Sequence, residues 1–327
     1  MKAMLVDEAQ RLNWTDVPDP RIRPDEVLVK THAAAMNRAD LLQRVGKYPS
    51  PPGCPPWMGL EIAGEIRAVG AQAAQESTWR VGDRVCALLG GGGYAEYAAV
   101  PYQMLMPIPR GLSFPEAAAL PEAYATCYLN LFHEGGFRPG ETLFMPAGAS
   151  GLASVGIPMA KAFGAYVITT VLNAEKRAQI ADLGADVVID TETENAVEVL
   201  RREAESGHPI DVAIDCLGGA LIGSVFPFVA EGCRWVLIST LDGIETTVPL
   251  RALLTRGITL KGSMLRKRSV AEKGALLREL VQNVWPKIES GAIRPRIFRT
   301  VPIEQAEEAH AWMQQGIHTG KIVLTVR

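Results

Sequence analysis

Short apolar runs recur along the chain, and their rhythm changes near residue 115. Before that point, runs at 2–6, 26–34, 61–69, 84–88 and 95–100 are separated by Pro- and Gly-rich turns, which predicts a compact β-rich unit. Two turns stand out, Pro49-Ser50-Pro51-Pro52-Gly53 and the run Gly90 to Gly93. A strand rather than a helix follows the second, so it reads as a flexible loop and not as a phosphate cradle. Ser113, with Pro115 and Glu116 behind it, predicts a helix start, and the helix should run through 128–132 to Gly135-Gly136. From there strand and helix alternate: strands at 142–147, 166–172, 187–189, 212–216 and 235–239, helices at 152–163, 175–183 and 197–205. Apolar runs without alternation, separated by helices, predict a doubly wound parallel sheet of Rossmann type. The tail adds a helix at 271–288, a strand near Ile297, an acidic helix at 303–314 and a strand at 321–326. That last strand could return to the first unit's sheet and make the first domain discontinuous.

Composition acts mainly by exclusion. The 327 residues exceed one ordinary core, so two domains are expected. The net charge of −3 offers no cationic excess for a phosphate backbone or an anionic membrane, which argues against nucleic acid as a main partner. Five cysteines (Cys54, Cys86, Cys127, Cys216, Cys233) form no CxxC pair and read as reduced, mostly buried thiols. With no signal-like h-region and no long apolar run, a cytoplasmic protein without membrane contact is expected.

Chemistry concentrates where the run at 142–147 meets a helix. The turn Ala147-Gly148-Ala149-Ser150-Gly151-Leu152 has the small residues that let backbone N–H groups and a helix N-terminus approach a pyrophosphate. The next strand ends without the Asp or Glu that would accept from a ribose 2′-hydroxyl; Asn173, Lys176 and Arg177 follow instead. Cations there suit a 2′-phosphate, so the arrangement favours NADPH over NADH, with Glu175 as the complication. Leu217-Gly218 and Ile238-Ser239 lie at carboxyl ends of strands, the edge where open α/β sheets bind ligands.

Several stretches carry a more specific likeness: Asn37-Arg38-Ala39-Asp40 within NRADLLQRVGKYPSPPG (37–53), Gly59-Leu60-Glu61, VGDRV (81–85), LLGGGGYAEY (88–97), ALPEAYAT (119–126), DCLGG (215–219), GCRWVLIS (232–239) and GKIVL (320–324). In order and spacing the chain resembles the medium-chain dehydrogenase/reductase superfamily over nearly its whole length. Within it, the chain is similar to the zeta-crystallin-type quinone oxidoreductases and to the tumour-suppressor-inducible subgroup. The resemblance implies a GroES-like domain from residues 1–119 and 265–327, a Rossmann domain from 120–264, NADPH in the cleft, and a homodimer or homotetramer.

Zinc members of that superfamily bind metal through a thiolate and an imidazole. Asn37 and Leu60 occupy those positions here, so no metal is expected and Glu61 reads as a buried or ion-paired remnant of the motif. Without a Lewis acid, reduction of an electrophilic quinone or enone is easier than oxidation of an alcohol. The resemblance places Tyr48 in the substrate pocket as a donor to the developing oxyanion, Asn37 beside the nicotinamide or substrate, and Arg266 close to the cofactor. Asp40 reads as a local cap. Departures from the family pattern are Ala153 for a glycine, Thr191 for a tyrosine and His318 for an asparagine. Two rival readings remain: an enoyl-thioester or alkenal reductase on the same scaffold, and an NADPH-binding sensor or structural protein without turnover.

Overall fold

The computed structural model describes residues 1–327, which form two compact units. Residues 1–125, 268–291 and 295–327 make the first, and residues 126–267 and 292–294 the second.

The first unit begins with β1 (Lys2–Val6), β2 (Leu12–Asp16), β3 (Glu26–Ala35), α1 (Arg38–Arg44), β4 (Glu61–Val69), α2 (Ala71–Glu76), β5 (Arg84–Leu88), β6 (Tyr97–Pro101), β7 (Leu105–Pro107) and α3 (Phe114–Ala118). Ser113 caps α3 with a reciprocal Glu116 contact, as its spacing predicts. The single helix expected onward from Ser113 is in fact two, because α4 (Pro121–Tyr128) starts afresh at a proline, whose missing N–H fits only a first helical turn. A π-helical turn, Leu129–Glu134, then carries the chain to Gly135.

The second unit continues with β8 (Thr142–Met145), α5 (Ala153–Ala162), β9 (Tyr166–Val171), α6 (Ala174–Gln179), β10 (Val187–Asp190), α7 (Ala196–Glu205), β11 (Val212–Asp215), α8 (Leu221–Val225), β12 (Arg234–Leu237), α9 (Leu250–Arg256) and β13 (Thr259–Gly262). Its six strands are all parallel in the order β10-β9-β8-β11-β12-β13, the Rossmann order with its reversal beside β8. Phe144, Ile168, Ile189, Ala213 and the fully buried Trp235 form the core under the helices, which explains why these strands read as unbroken apolar runs.

The chain then returns to the first unit with α10 (Val270–Glu289), β14 (Ile297–Pro302), α11 (Ala306–Gln315) and β15 (Lys321–Thr325). There the main sheet runs β14-β15-β3-β4-β5-β7, with β6 also paired to β3. The closing strand β15 lies antiparallel to β3, with Val323 opposite Ala35 and Thr325 opposite Ala33. Residues 26–35 and 321–325 therefore share one sheet, while β1 and β2 pair in a two-stranded sheet of their own, and this brings Lys321 to the end of β3.

Candidate active site

In the second unit the turn after β8 is built for close approach. Ala147 sits at φ +59°, its amide donates to Thr170 Oγ1 (3.1 Å), and the Gly148 amide donates to the Thr170 carbonyl (2.7 Å). A Cβ on Gly148 would come within 2.5 Å of Thr169 Oγ1. One on Gly156, inside α5, would meet Met145 Sδ at 2.4 Å, so that glycine lets the helix lie on β8. Ser150 Oγ accepts from the amide of Ala153, the first residue of α5 (3.1 Å), while the amides of Gly151 and Leu152 make no hydrogen bond within the protein. Two open amides at the start of a ten-residue helix are a fit for a pyrophosphate.

The other expected cofactor residues stand at the carboxyl edge of the same sheet, with local duties. Asn173 caps α6, its Oδ1 accepting from the Lys176 amide at 3.0 Å. Burial pulls the half-buried Lys176 ammonium below the usual lysine range. The Arg177 guanidinium is bound by the Glu194 carboxylate and the Val188 carbonyl, so one of the two cations expected at this strand end is already engaged within the protein. The amides of Leu217 and Gly218 both donate to Asp215 Oδ1, at 2.8 and 3.1 Å, and Asp215 Oδ2 accepts from Trp235 Nε1. What these two residues can offer a ligand is therefore surface and shape rather than amide donors. Ser239 follows β12 and Arg266 follows β13, both half-buried.

In the first unit a buried polar cluster gathers at the junction of β3, α1, β4 and β15. Lys321 Nζ lies 2.6 Å from Glu61 Oε1 and donates to Asn37 Oδ1 (2.8 Å) and the Met36 carbonyl (2.7 Å). Asn37 Nδ2 donates to Glu61 Oε1 (2.9 Å) and, more weakly, to the Ala35 carbonyl (3.4 Å). Glu61 Oε2 accepts from the Glu122 amide at 2.8 Å. Glu61 is fully buried and Lys321 nearly so. The carboxamide of Asn37 is thus clamped at both ends, and sequence reasoning missed the residue that does it. Nothing local to GKIVL identifies Lys321 as a partner of Glu61; only the return of β15 to β3 does. Asp40, fully buried, accepts from the Asn37 amide (2.8 Å), Tyr94 Oη (3.0 Å) and the Gly59 amide (3.2 Å). It does close the start of α1, as expected of a cap, and burial raises its carboxyl to about 6 despite these donors.

Tyr48, half-buried, lies in the loop after α1. The run Gly90 to Gly93 is not a flexible loop but the floor on which this loop rests. A Cβ on Gly90 would meet Cys54 Sγ at 2.7 Å, on Gly91 Ser50 Oγ at 3.0 Å, and on Gly92 Pro55 Cγ at 2.8 Å. Trp57 Nε1 donates to the Gly92 carbonyl (2.9 Å), and Gln43 Nε2 holds Ser50 Oγ (2.9 Å). Gly90, Gly91 and Gly92 are needed because a proline-rich segment packs directly on their backbone, and Gly93 because Ile62 and the Gly59 carbonyl do.

The donor set beside Asn37 does not suit zinc. Asn37 Oδ1 already takes an ammonium, Leu60 has no donor, and a fixed cation at Lys321 would repel a second one. No group of three His, Cys, Asp or Glu side chains is placed to hold a metal ion.

A parallel nucleotide-type sheet with open amides at its first turn, joined in one chain to a β-rich unit with a buried polar cluster, defines a two-unit protein of dinucleotide-binding type. Residues 23–110 match the alcohol dehydrogenase GroES-like domain family, and residues 151–282 match the zinc-binding dehydrogenase family. The quinone oxidoreductase-like protein 2 homolog of Nematostella vectensis is 32% identical over 306 residues, which is 92% of this chain and 82% of that protein. The chain belongs to the medium-chain dehydrogenase/reductase superfamily. Among solved structures, the quinone oxidoreductase of Thermus thermophilus, also solved in complex with NADPH, superposes with TM-score 0.82 at 29% identity and full coverage of both chains. CurK enoyl reductase shares the fold, with TM-score 0.85 at 24% identity over 100% of this chain and 99% of that one.

Proposed function

We propose that the protein is an NADPH-dependent quinone oxidoreductase that works without a metal. The observation that carries this reading is the Lys321 ammonium held between Glu61 and Asn37, where a Lewis acid would otherwise be needed. Without one, alcohol oxidation loses its electrophile, whereas a quinone or enone supplies its own. The likeness to a quinone oxidoreductase solved with NADPH supports the same reading.

Bound NADPH supplies a hydride from nicotinamide C4. The chain's part is to hold and orient. Gly151 and Leu152 offer their amides to the pyrophosphate, Ala147, Gly148 and Ser150 shape the turn that lets it approach, and Lys176 and Asn173 meet the 2′-phosphate. Leu217, Gly218, Ser239 and Arg266 complete the cofactor surface. Asn37, fixed by Lys321 and Glu61, is a rigid wall of the site more than a mobile donor. Tyr48 donates to the oxygen on which negative charge develops. The further expectations of a homodimer or homotetramer and of a cytoplasmic setting belong to this reading. No helix is long and apolar enough to cross a membrane, and light scattering should give about two or four times the 35.3 kDa of one chain.

The test is stopped-flow oxidation of NADPH and NADH against 1,4-benzoquinone, a naphthoquinone, an enone and crotonyl-CoA. The reading expects quinone turnover and a preference for NADPH of about tenfold or more, since a lost charge-assisted contact is worth about 1.5–3 kcal/mol. Turnover confined to crotonyl-CoA would favour the enoyl-thioester reading, and NADPH binding with no turnover the sensor. Tyr48→Phe should lower kcat/KM for the quinone and leave NADPH affinity unchanged.

A further inference from the structure

Reduction of a quinone takes one hydride and one proton, and the hydride alone leaves an oxyanion. The first unit holds three carboxyls around one buried cation: Asp40 on α1, Glu61 on β4 and Glu122 on α4, with Lys321 from β15 among them and Lys273 of α10 facing the group from further off. The hydrogen bonds distinguish the three carboxyls. Glu61 accepts from Lys321, Asn37 and the Glu122 amide. Asp40 accepts from two backbone amides and from Tyr94 Oη. No donor within the protein reaches the Glu122 carboxyl; the residue is half-buried, and its backbone N–H donates to Glu61 Oε2. Lys321 is spent on Glu61 and cannot neutralise a second anion at once.

We propose that Glu122 is a catalytic acid of this site, donating its carboxyl proton to the oxyanion left when hydride reaches the acceptor. This rests on the quinone-reductase reading above. The acceptor's oxygen gains an O–H bond as the carboxyl O–H bond breaks, the hydroquinone leaves neutral, and the resulting Glu122 carboxylate takes a proton back from solvent. Burial first, and then the neighbouring Glu61, push the Glu122 carboxyl from 4.5 up to about 8, so that the acid form prevails at neutral pH and is lost above it.

Wild type, Glu122→Gln and Glu122→Asp are compared by stopped flow with NADPH and 1,4-benzoquinone between pH 6 and pH 10, in water and in deuterium oxide. The wild type should lose kcat/KM above about pH 8 and show a solvent isotope effect. Glu122→Gln should lower turnover by about a hundredfold and lose both features with NADPH affinity unchanged, while Glu122→Asp restores part of each. A Glu122→Gln protein with wild-type turnover and the same alkaline fall overturns the proposal. A wild type that reduces no quinone or enone at any pH overturns the functional reading itself. Infrared titration of the wild type, free of cofactor, gives an independent readout should the variants not fold. A protonated carboxyl band present at pH 7 and lost through about pH 8 supports the assignment, and its absence at pH 7 overturns it.

Discussion

At the scale of single residues, the Lys321–Glu61 pair governs both stability and site geometry. Lys321→Met leaves the Glu61 carboxylate buried without its cation, and urea unfolding should show a loss of about 3–5 kcal/mol, as for other broken buried pairs. Adding Glu61→Gln should recover part of that loss, because a neutral amide needs no counter-ion there. The sequence singles out Glu61 and gives it an ion-paired role, yet its partner lies 260 positions further on and carries no local mark. Arg177 illustrates the opposite difficulty. A cation at the right distance from a strand end suggests phosphate binding, but Glu194, on the loop after β10, competes for it.

At the scale of elements, the loop bearing Tyr48 and the glycine run beneath it behave as one part. Gly92 has φ +91° and Pro55 Cγ 2.8 Å from where a Cβ would be, so Gly92→Ala must lift the loop. Its kcat/KM for quinone should fall about tenfold or more while NADPH affinity holds. Gly111→Ala is the control: φ is +87° but nothing lies within 4 Å, so it should cost stability and leave catalysis alone. Helix α11 carries a second testable group. His310 is 1% exposed and neither ring nitrogen finds a hydrogen-bond partner. Burial first, and then the charge of Arg44, hold it down at about 4 instead of 6.5. The folded state therefore binds this proton less readily than the unfolded chain, and stability falls as pH drops from about 6.5 to 4. Asp40, raised to about 6, acts in the opposite sense over much of that window. Comparing the wild type with His310→Leu by urea unfolding removes the shared term; the variant should gain about 3 kcal/mol on the wild type between pH 7 and pH 4. An unchanging difference would contradict the lowered value.

At the scale of the molecule, the alternation of apolar runs and helices made the parallel sheet legible, and the last strand does return to the first sheet, although it is buried along nearly its whole length rather than on alternate residues. Edge elements were less so. β2, β7 and β13 are short, and all four residues of β13 are exposed, so no burial pattern marks it. The cluster at Asn37 was legible only in part, because its members come from strands far apart in the chain and meet through sheet pairing. What unites the proposal is a hydride delivered to an electrophilic acceptor beside the ammonium that Glu61 and Asn37 fix. The most direct test strips the protein with EDTA, confirms it metal-free, and follows a single turnover of NADPH deuterated at the transferred position with 1,4-benzoquinone. The account predicts full activity, deuterium lost from the cofactor and a primary isotope effect on its oxidation. Activity that disappears with the metal and returns on adding zinc would contradict it.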